Sequence, residues 1–322
     1  MATGMAIKAE KTTGKLLKGI VVPTITPLTE KGDLDVEALE RLVEYLIAGR
    51  VTGLFVAGTT GEGPALSQAI RREMVERVCA QVKGRIPIVV AGMDPSLREA
   101  LATSRHAADV GADAMAFSPP FYLTLSEGDI LRFGQIVAQE SALPAYLYNV
   151  PYTQLPQFSL DVLRRLAELP RVLGLKDSSG DFPQLVEAVK IFSQRPECSV
   201  LVGPERLLAA ALREGADGGV CGGGNLLPIL YMSLYESHMK GDQQKVDGLQ
   251  KKILGVEGDF YRVGEPESSL VRGMKAALSV AGICGCSMVE PYASADDNEL
   301  RAVRSSLATY EAFSVGSIVG IV

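Results

Sequence analysis

The sequence predicts an α/β fold, a closed (β/α)8 TIM barrel with a C-terminal helical appendage. Three observations lead there. Short β-rich apolar runs alternate eight times with longer helical stretches. The runs are mostly continuous rather than alternating, the pattern of parallel strands buried on both faces. The spacing is even, at roughly 30 residues per unit, which suits closure into a barrel better than a doubly wound open sheet.

Taken in order, the first run is 19–26 (GIVVPTIT), followed by a helix over 36–48. Leu39, Leu42, Val43 and Leu46 fall at i, i+3, i+4 and i+7 and give that helix one apolar face. The second run, 53–57 (GLFVA), leads to a helix over 67–82 with Ser67 as its N-cap. Runs 86–91 (IPIVVA), 114–118 (AMAFS) and 145–150 (AYLYNV) precede helices over 96–110, 126–139 and 159–169. Runs 172–176 (VLGLK), 199–202 (SVLV) and 218–221 (GGVC) precede helices over 182–192, 205–213 and 226–239. Gly49, Gly84, Gly111, Gly215 and Gly241 stand where left-handed C-caps would end helices. Gly-Ala-Asp bridges a helix end to the next strand at 111–113 and again at 215–217, a weak repetition of the βα unit.

After Gly241 the strand runs stop, and 243–261, 269–281 and 296–313 read as helices. The chain therefore divides into a loose tail (1–17), a catalytic barrel (18–241), a helical region (242–313) and an apolar tail (314–322). A barrel of roughly 250 residues leaves about 70 over. That surplus reads as scaffold for packing and subunit contact, with none of the candidate catalytic residues.

Composition excludes several classes. With 47% apolar residues the chain can bury a large core without a disulfide or metal staple. Its 32 basic and 38 acidic residues give a net charge of −6, and no Lys/Arg run forms a nucleic-acid face. Five cysteines, odd and sparse, read as free thiols in a reducing compartment, here the cytoplasm. Cys284 and Cys286 form a C-x-C with no second pair, which does not make a zinc site. With only His106 and His238 there is little material for a Ser-His-Asp triad or a multi-His metal centre. No run reaches the roughly 18 apolar residues that span a bilayer. Residues 1–18 carry Lys8, Lys11, Lys15 and Lys18 without an apolar h-region, so they do not read as a secretory signal.

In such a barrel the chemistry sits at the carboxyl ends of the strands. Strand six ends in Lys176. A desolvated lysine loses pKa and becomes an amine that can form a Schiff base with a ketone. The plainer alternative is a lysine that reaches solvent at a strand end. Strand five ends in Tyr148, either a proton shuttle or a core tyrosine. Strand two is followed by Gly58-Thr59-Thr60-Gly61-Glu62, a tight turn whose N–H groups suit a carboxylate or phosphate, or an ordinary loop. It lacks the Gly-Lys-Ser/Thr of a Walker loop. Strand four leads to Pro119-Pro120-Phe121-Tyr122, which presents a second tyrosine. Strand eight leads to Gly222-Gly223-Gly224-Asn225, which allows close backbone approach but stands at the wrong strand for dinucleotide binding. Together these place an amine, an acid/base relay and a carboxylate cradle at neighbouring strand ends, the set a metal-free Schiff-base aldolase needs.

These motifs carry a resemblance. Gly19-x3-Pro23-x2-Thr26-Pro27, Gly58-Thr59-Thr60-Gly61-Glu62, Tyr148-Asn149-Val150-Pro151 and Gly174-Leu175-Lys176-Asp177 stand in order at successive strand ends. In this the chain resembles the dihydrodipicolinate synthase / N-acetylneuraminate lyase family of pyruvate-dependent class I aldolases, well over 18–241 and loosely beyond. The resemblance implies a Schiff base between Lys176 and pyruvate or another 2-keto acid, with no other cofactor and no metal. It implies that Tyr148 relays protons, that Thr59 orients it, and that Thr60, with the N–H groups around Gly58 and Gly61, holds the keto-acid carboxylate. Tyr122 matches a third relay member that reaches into a neighbouring subunit, which implies a homo-oligomer, a dimer or tetramer. Ser178, Gly203, Glu205, Arg206 and Val220 stand at positions that the resemblance implies are substrate-binding.

The specificity positions depart from the family pattern. The synthases carry an Arg where Thr153 stands, between Tyr152 and Gln154. The sialic-acid lyases carry an acidic pair where Glu205 and Arg206 stand, and a serine where Gly222 stands. Arg206 is either a displaced carboxylate receptor or a surface helix residue. The expected function is thus a lyase joining or cleaving a 2-keto acid and an aldehyde. A lysine-pathway 4-hydroxy-tetrahydrodipicolinate synthase, a 4-hydroxy-2-oxoglutarate or sialic-acid-type aldolase, a sugar-acid dehydratase and a non-catalytic keto-acid-binding protein stay open.

Overall fold

The computed structural model describes residues 14–150, 157–263 and 269–313. Residues 1–13 of the predicted tail, Tyr152, Thr153 and Gln154, and the apolar segment 314–322 lie outside them. The strands are β1 (Gly19–Pro23), β2 (Gly53–Val56), β3 (Ile88–Ala91), β4 (Ala114–Phe117), β5 (Ala145–Asn149), β6 (Val172–Asp177), β7 (Ser199–Val202) and β8 (Gly218–Val220). They pair in chain order, all parallel, and β8 returns to β1 through Gly19 opposite Gly218, closing the barrel. Six of the strands are shorter than the apolar runs that predict them, β7 matches its run, and β6 extends one residue further, to Asp177.

Around the strands run α1 (Val36–Ala48), α2 (Gln68–Val82), α3 (Leu97–Asp109), α4 (Glu127–Glu140), α5 (Leu160–Ala167), α6 (Phe182–Phe192), α7 (Leu208–Arg213) and α8 (Pro228–Met239). Asp35, Ser67, Ser96, Ser126, Ser159 and Asp181 cap the first six through side-chain oxygens that accept backbone N–H bonds. The predicted helix 205–213 divides into a 3-10 turn at Glu205–Leu207 and α7. The helix predicted from 226 starts at Pro228, where a missing N–H and fixed φ suit the first turn. Gly111, Gly215 and Gly241 take left-handed φ as expected, and at Gly84 the preceding Lys83 does so too. Gly49 does not. Its φ is −70° and the left-handed residue is Arg50. Gly49 answers instead to packing, since a Cβ there would sit 2.5 Å from the Pro228 ring.

Barrel closure splits the core in two. One set of side chains, including Val21, Phe55, Val89, Tyr146 and Tyr148, fills the barrel interior. The other, including Val22, Leu54, Val90, Leu147 and Leu175, packs outward against the helices. The interior reaches further toward the N-terminus than expected. Leu17, placed in the loose tail by the sequence, is only 2% exposed and joins the interior set, and Lys15 pairs with Asp217 at 2.6 Å. An apolar plug at the barrel floor is a better place for Leu17 than water.

The appendage consists of α9 (Gln243–Phe260), α10 (Ser269–Val280), α11 (Asp297–Leu307) and a 3-10 turn over Ala308–Phe313. Val246, Ile253, Phe260, Met274, Leu278 and Val303 belong to the same continuous outer core as the barrel helices. The appendage is therefore built onto the barrel rather than beside it. Among the described residues no helix is long and apolar enough to cross a membrane.

Candidate active site

Strands β5 and β6 bring the two central groups together, and they do so through an irregularity. Ala145 lies opposite Val172, yet Tyr146 lies opposite Gly174, so β6 holds one extra residue. Strict alternation from Val172, which packs outward, would turn Lys176 outward as well. The bulge at Gly174 (φ +140°) resets the phase: Leu175 packs outward, and Lys176, opposite Tyr148, points inward. A glycine is required there, because a Cβ would lie 1.8 Å from the Ser199 carbonyl oxygen.

Inside the barrel Lys176 is 5% exposed. Its Nζ lies 3.9 Å from the ring centroids of both Phe55 and Tyr148, which meet edge to face with centroids 5.6 Å apart. Burial pushes the Lys176 ammonium below its ordinary pKa, only partly opposed by Tyr148. Burial alone would raise the Tyr148 phenol, but the Lys176 charge and hydrogen bonds with Thr59, Lys176 and Ser178 bring it below its ordinary value. The Thr59 and Tyr148 hydroxyls lie 3.2 Å apart.

The turn after β2 is held from several sides. Gly58 and Gly61 pack where a Cβ would strike the Phe55 ring at 2.3 Å and the Thr24 carbonyl at 2.7 Å. Thr26 Oγ1 donates to the Gly61 carbonyl at 2.6 Å, and Ala57 and Glu62 both take left-handed φ. Thr59 is exposed and Thr60 half-buried, so both hydroxyl-bearing residues face the mouth rather than the core. Ser178 is buried beside Tyr148, under Gly203, where a Cβ would meet Ser178 Oγ at 2.1 Å. Asp177 accepts from Asn149 Nδ2 at 3.0 Å and from Ser179 N–H at 2.8 Å, which ties the ends of β5 and β6.

Glu205 is placed differently from a free substrate ligand. It is 4% exposed and accepts from Gly223 N–H at 2.8 Å, from Tyr261 at 2.8 Å and from Tyr231. Burial raises its carboxyl to about 7 against these donors. Arg206 is exposed, near Gly180 at the rim. Val220 is buried in the barrel interior. Tyr122 is 95% exposed at φ +96°, and the single chain does not bring it to the Lys176 group.

The sequence reading missed Phe55, Tyr231, Tyr261 and Lys275. Phe55 lies in a strand whose residues are all buried, so no alternation in the sequence singles it out. Tyr261 comes from the appendage, across 56 residues of chain from Glu205, and no local pattern points to it.

The profile of the dihydrodipicolinate synthetase family matches residues 16–310. The chain belongs to that family. It is 32% identical over 292 residues to an uncharacterised DapA-like lyase of Halobacterium salinarum, covering 91% of this chain and 93% of the other. Its fold matches the dihydrodipicolinate synthase of Bacteroides thetaiotaomicron with a TM-score of 0.88 and 38% identity, over 91% of this chain and 98% of that one. It also matches a prophage protein of this family from E. coli K12, solved in complex with pyruvate, with a TM-score of 0.85, 26% identity and coverage of 91% and 98%. The protein is thus a lyase of the dihydrodipicolinate synthase family on a (β/α)8 barrel.

Proposed function

We propose that this lyase joins or cleaves pyruvate, or a closely related 2-keto acid, and an aldehyde through a Schiff base on Lys176. The observation that carries the reading is the Lys176 amine, buried with a lowered pKa beside Tyr148, whose hydroxyl meets Thr59. The neutral amine attacks the keto carbon, and the carbonyl oxygen takes a proton from Tyr148 to give a carbinolamine. Loss of water leaves an iminium that withdraws electrons from the neighbouring carbon. In the cleavage direction Tyr148 accepts the proton of the hydroxyl beside the breaking bond as the aldehyde leaves, and the enamine left on Lys176 takes that proton at carbon to become the iminium of the keto acid. In synthesis Tyr148 takes a proton from the carbon beside the iminium, the resulting enamine adds to the aldehyde, and Tyr148 returns that proton to the new alkoxide. Hydrolysis of the iminium frees the keto acid and Lys176. Thr60 and the N–H groups of the 58–61 turn hold the carboxylate.

A pyruvate complex is on record for the E. coli relative, which supports pyruvate as the ketone. The three protein hydrogen bonds on Glu205 occupy the acid that a sialic-acid-type reading would turn toward sugar hydroxyls. A homodimer or tetramer is supported by Tyr122 and Leu123, 95% and 74% exposed side by side, a surface that a second copy would cover. Five free cysteines, four of them buried, support a reducing, cytoplasmic setting.

The test is reductive trapping. Borohydride with pyruvate should add one pyruvyl mass to the intact protein and map it to Lys176, and Lys176→Ala should abolish both adduct and turnover. A protein that gains no mass would sink the mechanism. A panel of aldehydes offered with pyruvate then identifies the second substrate by product mass.

A further inference from the structure

The appendage carries one cation with no access to water. Lys275 of α10 is 0% exposed. Its ammonium pairs with Glu62, in the turn after β2, and donates to the Ser287 carbonyl at 2.7 Å. The other oxygen of Glu62 accepts the Val289 N–H at 2.8 Å. One carboxylate from the barrel mouth thus grips α10 and the segment that follows it.

Glu62 is also the closing residue of the turn that carries Thr59 and Thr60. It stands at φ +56°, a left-handed conformation that is uncommon and costly for a residue with a side chain. Its N–H donates to the Thr59 carbonyl at 3.0 Å, and the next N–H, from Gly63, donates to the Gly58 carbonyl at 3.0 Å. From there contact passes from Thr59 to the Tyr148 hydroxyl and on to Lys176. A buried ion pair is seldom the most stable way to fill a core, since apolar residues of similar size often do as well or better. What it supplies is fixed position.

We propose that Glu62 and Lys275 are positioning residues for the Schiff-base site. The pair holds the left-handed backbone at 62 and so places the Thr59 and Thr60 hydroxyls for Tyr148 and the keto-acid carboxylate. The inference rests on the Schiff-base reading for its kinetic readout but not for its geometric one.

Removing one partner alone strands a buried charge, so the test uses the neutral pair Glu62→Gln/Lys275→Met, with Glu62→Asp as a variant that keeps the charge and shortens its reach. Trapping rates are measured against pyruvate concentration alongside Tm, and the crystal structure of each variant is solved. The expected result is a folded protein whose half-saturating pyruvate rises roughly 10-fold to 100-fold, as small misplacements of binding groups do. Glu62→Asp should fall between it and wild type. The limiting trapping rate should change less, because Lys176 itself is untouched, and the crystals should show residue 62 out of the left-handed region with Thr59 Oγ1 drawn off Tyr148. Folded variants with wild-type pyruvate dependence and an unmoved turn overturn the proposal. If the neutral pair fails to fold, Glu62→Asp decides on the same terms. If wild type itself forms no adduct, the Schiff-base reading falls and the turn geometry in the crystals judges the pair.

Discussion

At the residue scale the site depends on Lys176 and on what burial does to it. A lysine in water titrates near ~10.4, and the burial of Lys176 lowers that. Pyruvate trapping should therefore rise with pH through a midpoint below the free-lysine value. A midpoint at the free-lysine value would show an amine that is solvated rather than buried. Tyr148→Phe keeps the ring packed against Phe55 but removes the hydroxyl, so turnover should drop about 10²–10⁴-fold with little change in Tm. Glu205 predicts a stability effect of definite sign. With its carboxyl raised to about 7 from the usual 4.5, the folded protein keeps a proton that the unfolded chain releases between those values. The contribution of Glu205 is thus full below pH 4.5 and is lost as pH rises through about 7. Denaturant titrations should show wild type losing on the order of 3 kcal/mol relative to Glu205→Gln between pH 4.5 and 8, and parallel curves would contradict it.

At the scale of elements, β6 is the decisive piece. Its apolar run is legible in the sequence, and so is a lysine at its end. The direction that lysine faces is not, because counting alternate residues from Val172 turns Lys176 outward. The extra residue at Gly174 corrects the phase, and only a glycine fits there because the Ser199 carbonyl of β7 stands so close. Gly174→Ala combines that collision with a backbone conformation costing about 1–3 kcal/mol for a residue with a side chain. It should lower Tm and abolish pyruvate trapping together, whereas Leu175→Val, on the outward face, should retain trapping. The helices were more legible than the strands' exact ends. Asp and Ser caps and a 3.6-residue apolar stripe are local signals, and α1 and α6 have the bounds the pattern predicts. Gly49 shows the limit of such signals, since a glycine at a helix end can answer to a neighbour packed against it as well as to backbone φ.

At the scale of the whole molecule the appendage is more than added length. It shares its apolar core with the barrel and supplies Tyr261 to Glu205 and Lys275 to Glu62. A chain ended at Gly241 would expose that core and leave both carboxylates short of partners. Such a chain should not yield soluble folded protein, which expression and circular dichroism would check; a folded, trapping-competent fragment would show the barrel to be independent.

The sequence by itself determined the number and order of the βα units, the helix caps, and the set of Lys176, Tyr148, Thr59 and Thr60 at strand ends. These are legible because period, capping and strand-end position are written within a few residues of each other. Only the tertiary structure decided that Lys176 turns inward at a bulge, that Phe55 packs beside its amine, that Glu205 is engaged by the protein, and that α10 reaches back to the turn after β2. Each of these joins residues far apart in the chain. Their contact depends on barrel closure and on packing a helix against its mouth, and no local pattern records either.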